Sequence, residues 1–138
     1  MQIKFISFVI FLFACFTQIA QASLPPKPSK CPGVSAISSV GIQIAQPGDN
    51  GTWVAGVLSN RYDTTDAWTF AVGDISASSE QDAKAKATDS LSSLNFKMGP
   101  IPVTQYNVWA CLYTTSQGYR AIAVTPSLGL VSSSHSYK

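Results

Sequence analysis

Two widely separated cysteines, Cys31 and Cys111, most constrain what this chain can fold into, and they do so because of the segment that precedes them. The N-terminus reads Met1-Gln2-Ile3-Lys4 and then runs almost uncharged from Phe5 to Phe16, before Ala20-Gln21-Ala22. A positive start, an apolar block of about a dozen residues and a small-x-small site form an export signal, expected to be removed after Ala22. The block falls short of the roughly 20 residues that span a bilayer, and no other apolar run is long enough. Leu12-Phe13-Ala14-Cys15 offers a competing lipoprotein-type site at Cys15, which the bulky Phe13 fits poorly. With cleavage after Ala22, Cys15 leaves and two cysteines remain in a periplasmic or secreted, oxidising setting where disulfides persist. A Cys31–Cys111 bridge is therefore expected; the alternative is two buried free thiols. Bridging would close a loop of about 80 residues and stabilise the fold by about 4.5 kcal/mol in the chain-entropy account.

Removing the signal also changes the balance of residues. Phe5, Phe8, Phe11, Phe13 and Phe16 depart with it, and losing Lys4 leaves eight Lys/Arg against seven Asp/Glu. Those basic residues are scattered singly, whereas nucleic-acid binders cluster them in a stripe, so no nucleic-acid partner is expected. What is left is one domain of ordinary size.

Along the chain, residues 23–32 hold four prolines and read as an extended leader into a single domain over 33–130. Val34, Ala36, Ser38, Val40, Ile42 and Ile44 alternate and predict a first strand. Gln46 to Gly51 is turn chemistry, which also accounts for the glycosylation-like Asn50-Gly51-Thr52. Strands are expected over Thr52–Ser59 and, after a polar loop at Asn60–Asp66, over Ala67–Ile75, with Trp68, Phe70 and Val72 on one face. From Ser79 to Leu94 the period becomes helical: Ala83, Ala87, Leu91 and Leu94 make one stripe, and Ser78 with Gln81 has capping-box spacing. The prolines of Asn95–Pro102 predict a loop. Val103–Thr114 predicts a central strand covered on both sides, with Trp109, Cys111 and Tyr113 facing one way. A Thr115–Gly118 turn leads to a last strand over Tyr119–Thr125, and residues 131–138 read as a disordered tail. The expectation is α+β: an antiparallel sheet of about five strands, β-β-β-α-β-β, with one helix on a face.

The chemistry-bearing residues are few. The single mature histidine, His135, lies in the tail, and a nucleophilic triad needs its histidine held by neighbours. No phosphate-cradling glycine loop and no metal-ligand spacing occur. Asp63 and Asp66 are read as solvated loop formers. A non-enzymatic protein is expected. The remaining cluster is aromatic: Trp109, Tyr113 and Tyr119 are the candidate ligand-binding residues, and Arg120, which could pair with a carboxylate, points to the opposite face from Tyr119 in a regular strand.

The signal ending Ala20-Gln21-Ala22, Cys31-Pro32-Gly33 near the new N-terminus, and Val108-Trp109-Ala110-Cys111 give a layout that resembles a family of small exported bacterial proteins. That family is mostly uncharacterised, with one branch described as haemin-binding, and the likeness covers Cys31 to Pro126. The resemblance implies an exported haem- or iron-related binding protein that needs no resident cofactor. Residue types that ligate haem iron are present as Tyr62, Tyr106, Tyr113, Tyr119, Met98 and His135. The rival expectation is a protein-interaction module that docks a partner through a sheet edge or an aromatic patch.

Overall fold

In a computed structural model, residues 23–128 are described; the expectations for the signal at 1–22 and the tail at 131–138 lie outside them. The elements are α1 (Val34–Val40), β1 (Ile44–Pro47), β2 (Trp53–Asn60), β3 (Trp68–Ile75), α2 (Glu80–Ser90), β4 (Asn95–Val103), β5 (Val108–Thr114) and β6 (Arg120–Thr125). Short 3-10 turns at Asp49–Gly51 and Leu91–Ser93 complete them. All six strands form one antiparallel sheet in the order β1-β2-β3-β6-β5-β4. The class is α+β as expected, but with six strands and two α-helices among the described residues.

The helix of the alanine stripe forms where the sequence places it. Ala83, Ala87, Leu91 and Leu94 are all buried, and the helix lies over β1, β2 and β3. Its cap is one residue later than expected: Ser79 accepts the Asp82 N–H, and the Asp82 carboxylate accepts the Ser78 N–H. This satisfies backbone donors that a helix start leaves unpaired. On β3, Trp68, Phe70 and Val72 enter the core together.

Three expectations need correction. The first strand expected over Val34–Ile44 is mostly α1, and only its end is β1. Small residues at alternate positions fit either period; Ile37, fully buried, decides for helix, and Gly41 stops it with φ of 79°. The loop expected over Asn95–Pro102 is β4, an edge strand. Prolines are tolerated there because an edge strand has one row of N–H groups facing no partner. Finally, the strand expected from Val103 starts at Val108, after a turn closed by Tyr106 N–H on the Val103 carbonyl.

The sheet therefore has two unlike faces. One carries the main core: Phe70, Val72, Cys111, Tyr113, Ala121 and Ala123 pack with Ile37, Ala87, Leu91 and Leu94. Over β5 this face is covered by the leader, through the Cys31–Cys111 disulfide with Cα atoms 5.9 Å apart. Among the described residues the other face has no helix on it. There Val108, Ala110 and Val124 form a separate small cluster with Ile101, Val103 and Ile122, so the two-sided cover expected for β5 comes from the sheet's own side chains.

Candidate functional site

The three aromatic candidates do not assemble into one surface. Tyr113 is 3% exposed and donates its hydroxyl to the Pro32 carbonyl at 2.5 Å. It meets Phe70 and Phe96 edge-on, with centroids 6.1 and 5.7 Å away. Burial pushes its phenol far above the ordinary value, with Asp63 and Tyr62 adding to the shift. A neutral, buried, fully used hydroxyl belongs to the core. Trp109, two residues before Cys111 on the same face of β5, donates Nε1–H to the Pro25 carbonyl at 2.9 Å, and Lys27 stands 6.0 Å over its ring. It anchors the leader. Tyr119 is half-buried against the core at the β5–β6 turn, where its N–H is held by Thr115 Oγ1.

Asp63 and Asp66, read as loop formers, separate in role. Asp63 clasps the leader to the β2–β3 loop: its carboxylate accepts the Gly33 N–H at 2.8 Å and faces Lys30 at 3.3 Å. The Gly33 bond holds its carboxyl below the ordinary range; burial opposes weakly and Lys30 assists. Next to it, the Tyr62 hydroxyl is enclosed with no hydrogen-bond partner among the described residues, and burial pushes it up to about 12.

The surface that lacks a structural explanation lies on the opposite side. Side chains alternate along strands, so the register places one set of residues on the helix-free face. These are Ile44, Val54, Leu58, Ala71, Ile122 and Leu112, joined on β4 by Met98 opposite Leu112 and by Ile101 opposite Ala110. Leu58 and Met98 are each 46% exposed. A shallow depression lined by Ile44, Val54, Leu58 and Ala71 marks its β1–β3 end. At the other end a groove of about 610 Å³ opens over β5 and β6; Lys97, Leu112, Thr114, Arg120 and Ile122 line it, and two of the candidate aromatics, Tyr113 and Tyr119, border it. That volume lies within the range of small-molecule sites.

The groove has an apolar floor and a charged mouth. Leu112 and Ile122 are paired across β5 and β6, and Thr114 is paired with Arg120 one step nearer the turn. Arg120 meets Asp74 through Nε at 3.1 Å, yet its side chain is 90% exposed, so most of the guanidinium faces solvent. Lys97 makes no ion pair among the described residues. Neither it nor the open face was singled out in the sequence. Only the register, including the irregularity between Phe96 and Met98 on β4, brings Lys97 to the groove.

Among the haem-iron donor types, Met98 stands on this face and Tyr119 at the groove wall. Tyr106 is exposed in the β4–β5 turn, Tyr62 and Tyr113 are enclosed, and His135 lies outside the described residues. No group of three His, Cys, Asp or Glu residues that could hold a metal ion occurs among the described residues.

The family described as Domain of unknown function (DUF4949) matches residues 30–129. The chain belongs to the DUF4949 family. The match takes in the disulfide, both helices and all six strands, so the unlike faces of the sheet lie within the DUF4949 domain itself. No curated protein and no solved structure matches the chain. No helix among the described residues is long and apolar enough to cross a membrane.

Proposed function

We propose that this DUF4949 protein is an exported, non-enzymatic binding protein that holds its ligand on the helix-free face of the sheet. One observation carries the reading: an aliphatic sheet face with no helix over it among the described residues ends in a groove whose mouth holds Lys97 and Arg120. A sheet face in water is stable when one side is polar, and contiguous exposed apolar surface marks a place where something docks. Export is supported by the N-terminal signal pattern and fits the Cys31–Cys111 bridge.

Haemin is the ligand that the resemblance names, and the groove supports it in two ways. Its cations match a ligand bearing carboxylates, and Met98, opposite Leu112 on β4, stands near the groove with a thioether that iron accepts. The alternative of a partner added at a sheet edge is less well supported. The edge strands are β1 and β4; β1 ends in Pro47 and β4 contains Pro100 and Pro102, which remove donors that an added strand would use.

The test is a visible-light titration of the mature protein with haemin, beside the Leu112→Glu variant. The wild type is expected to shift the haemin absorption band with a saturable one-to-one endpoint, and the variant to lose that shift while melting normally. No shift with wild-type protein rejects haemin; an identical shift in the variant rejects the face.

A further inference from the structure

We infer that the groove at the β5–β6 end is built for a long-chain carboxylate, its head held at Thr114 between Lys97 and Arg120 and its acyl chain laid over Leu112 and Ile122. The inference rests on the helix-free face being a binding face, and it does not need the ligand to be haemin.

Strand order supplies the argument. β5 lies between β4 and β6, so Thr114 lies between the strands that carry Lys97 and Arg120. Neighbouring strands are roughly 4.8 Å apart, so both long side chains reach a group seated above Thr114. Thr114 is exposed and brings a hydroxyl, Lys97 three ammonium donors, and Arg120 the solvent-facing part of its guanidinium. Asp74 is the acidic group paired with Arg120; it engages the guanidinium through Nε and leaves the terminal nitrogens without an ion-pair partner among the described residues. These are donors for an anion, and a carboxylate meets them with charge-assisted bonds.

Beyond the head position the floor turns aliphatic at once. Leu112 and Ile122 form it, both partly exposed, whereas Ala110 and Val124 past them are buried in the small cluster and lie outside the groove. The groove, about 610 Å³ in volume, leaves room for an acyl chain over these two side chains, and Arg120 is the one charged side chain of β5 and β6 that faces it. An apolar lane that starts at a cationic seat recognises an amphiphile with its charge at one end. A polar ligand leaves the lane unused, and a neutral apolar one leaves the seat unused.

The experiment is calorimetric titration of the mature protein with dodecanoate, tetradecanoate and hexadecanoate, each beside the alcohol of the same chain length, below the concentration at which they aggregate. Affinity is expected to rise by about twofold to fourfold per added methylene, the upper figure being full burial. Carboxylates are expected to bind about tenfold or more tightly than the alcohols, as a charge-assisted bond implies. Lys97→Glu with Arg120→Glu should erase that preference while leaving the alcohols unaffected, and both positions are exposed enough for the variant to fold. Equal binding of acids and alcohols overturns the cationic seat and leaves the binding face standing. Binding of haemin with none of the acyl ligands overturns the inference alone, whereas failure of every ligand removes the binding face too. A dimer that hexadecanoate does not dissociate assigns the face to a second copy, which also overturns it.

Discussion

Two enclosed tyrosine hydroxyls behave oppositely. Tyr113 donates to the Pro32 carbonyl, so Tyr113→Phe strands a buried acceptor and is expected to cost about 1–2 kcal/mol in denaturant unfolding. Tyr62 has an enclosed hydroxyl without a partner among the described residues, so Tyr62→Phe removes a desolvated group that returns nothing and should leave stability equal or slightly raised at neutral pH. Both phenols have folded values raised above the unfolded one. The neutral form is therefore the one the fold favours: its contribution is complete below pH 10.0 and is lost as pH rises from there toward about 12, the value for Tyr62. Tyr62→Phe should flatten the alkaline fall in stability measured across that window; an unchanged fall contradicts the assignment. Asp63 has the reverse sign. Its lowered value makes its contribution complete above the ordinary 3.8 and lost only in acid below it, so Asp63→Asn should change nothing in the shape of the profile between pH 5 and 8. The sequence shows that Tyr113 shares a face with Trp109 and Cys111, because alternation along a strand shows that much. It does not show whether that face meets water, because the leader that covers it comes from about 80 residues away.

At the level of elements, legibility followed how many local signals agreed. Helix α2 has an apolar stripe, a serine cap and acidic residues in its first turn, all pointing one way, and it forms there. Strand β3 has large side chains at alternate positions and is equally plain. Helix α1 and strand β4 carry local signals that favour another state, and tertiary position overrides them: Ile37 fits the core only from a helix, and the prolines of β4 are harmless at an edge. What makes β4 possible is Gly99. At φ of 136° its backbone lies so close to β5 that a Cβ would stand 2.7 Å from the Ala110 carbonyl oxygen and 2.8 Å from Cys111 Cα, with Cys31 Sγ at 3.2 Å. Gly99→Ala is therefore expected to cost about 1–3 kcal/mol, because backbone on both sides must move. Gly73 on β3 is the control: a Cβ there meets nothing within 4 Å, and Gly73→Ala should be neutral or stabilise by about 0.4–1 kcal/mol. Equal melting temperatures for the two variants would show that β4 does not depend on the close approach at Gly99.

Across the whole molecule, the sheet is covered in two different ways, and the disulfide belongs to only one of them. Helix α2 covers β1–β3 by apolar packing that needs no covalent tie. Over β5 the cover is the leader, a proline-rich strip without a helix or strand of its own, held by the Tyr113–Pro32, Trp109–Pro25 and Gly33–Asp63 contacts and by the bridge. Individual hydrogen bonds contribute about 1 kcal/mol each. Closing an 80-residue separation contributes about 4.5 kcal/mol in the chain-entropy account, comparable to the total stability of a small domain. The Cys31→Ser, Cys111→Ser double variant is therefore expected to lose most of its stability, with the urea midpoint falling sharply. Leu112, Thr114, Arg120 and Ile122 lie on the opposite face, so the fraction of the variant that remains folded should bind groove ligands as the wild type does. Trp109 reports the cover directly, since release of the leader removes Pro25 and Lys27 from its indole and should shift its fluorescence toward that of a solvated ring. A midpoint within about 1 kcal/mol of wild type, with Trp109 unchanged, would mean that the hydrogen bonds alone hold the leader. A bound-ligand affinity that falls in step with the midpoint, measured on folded protein, would instead mean that the two faces are coupled through β5.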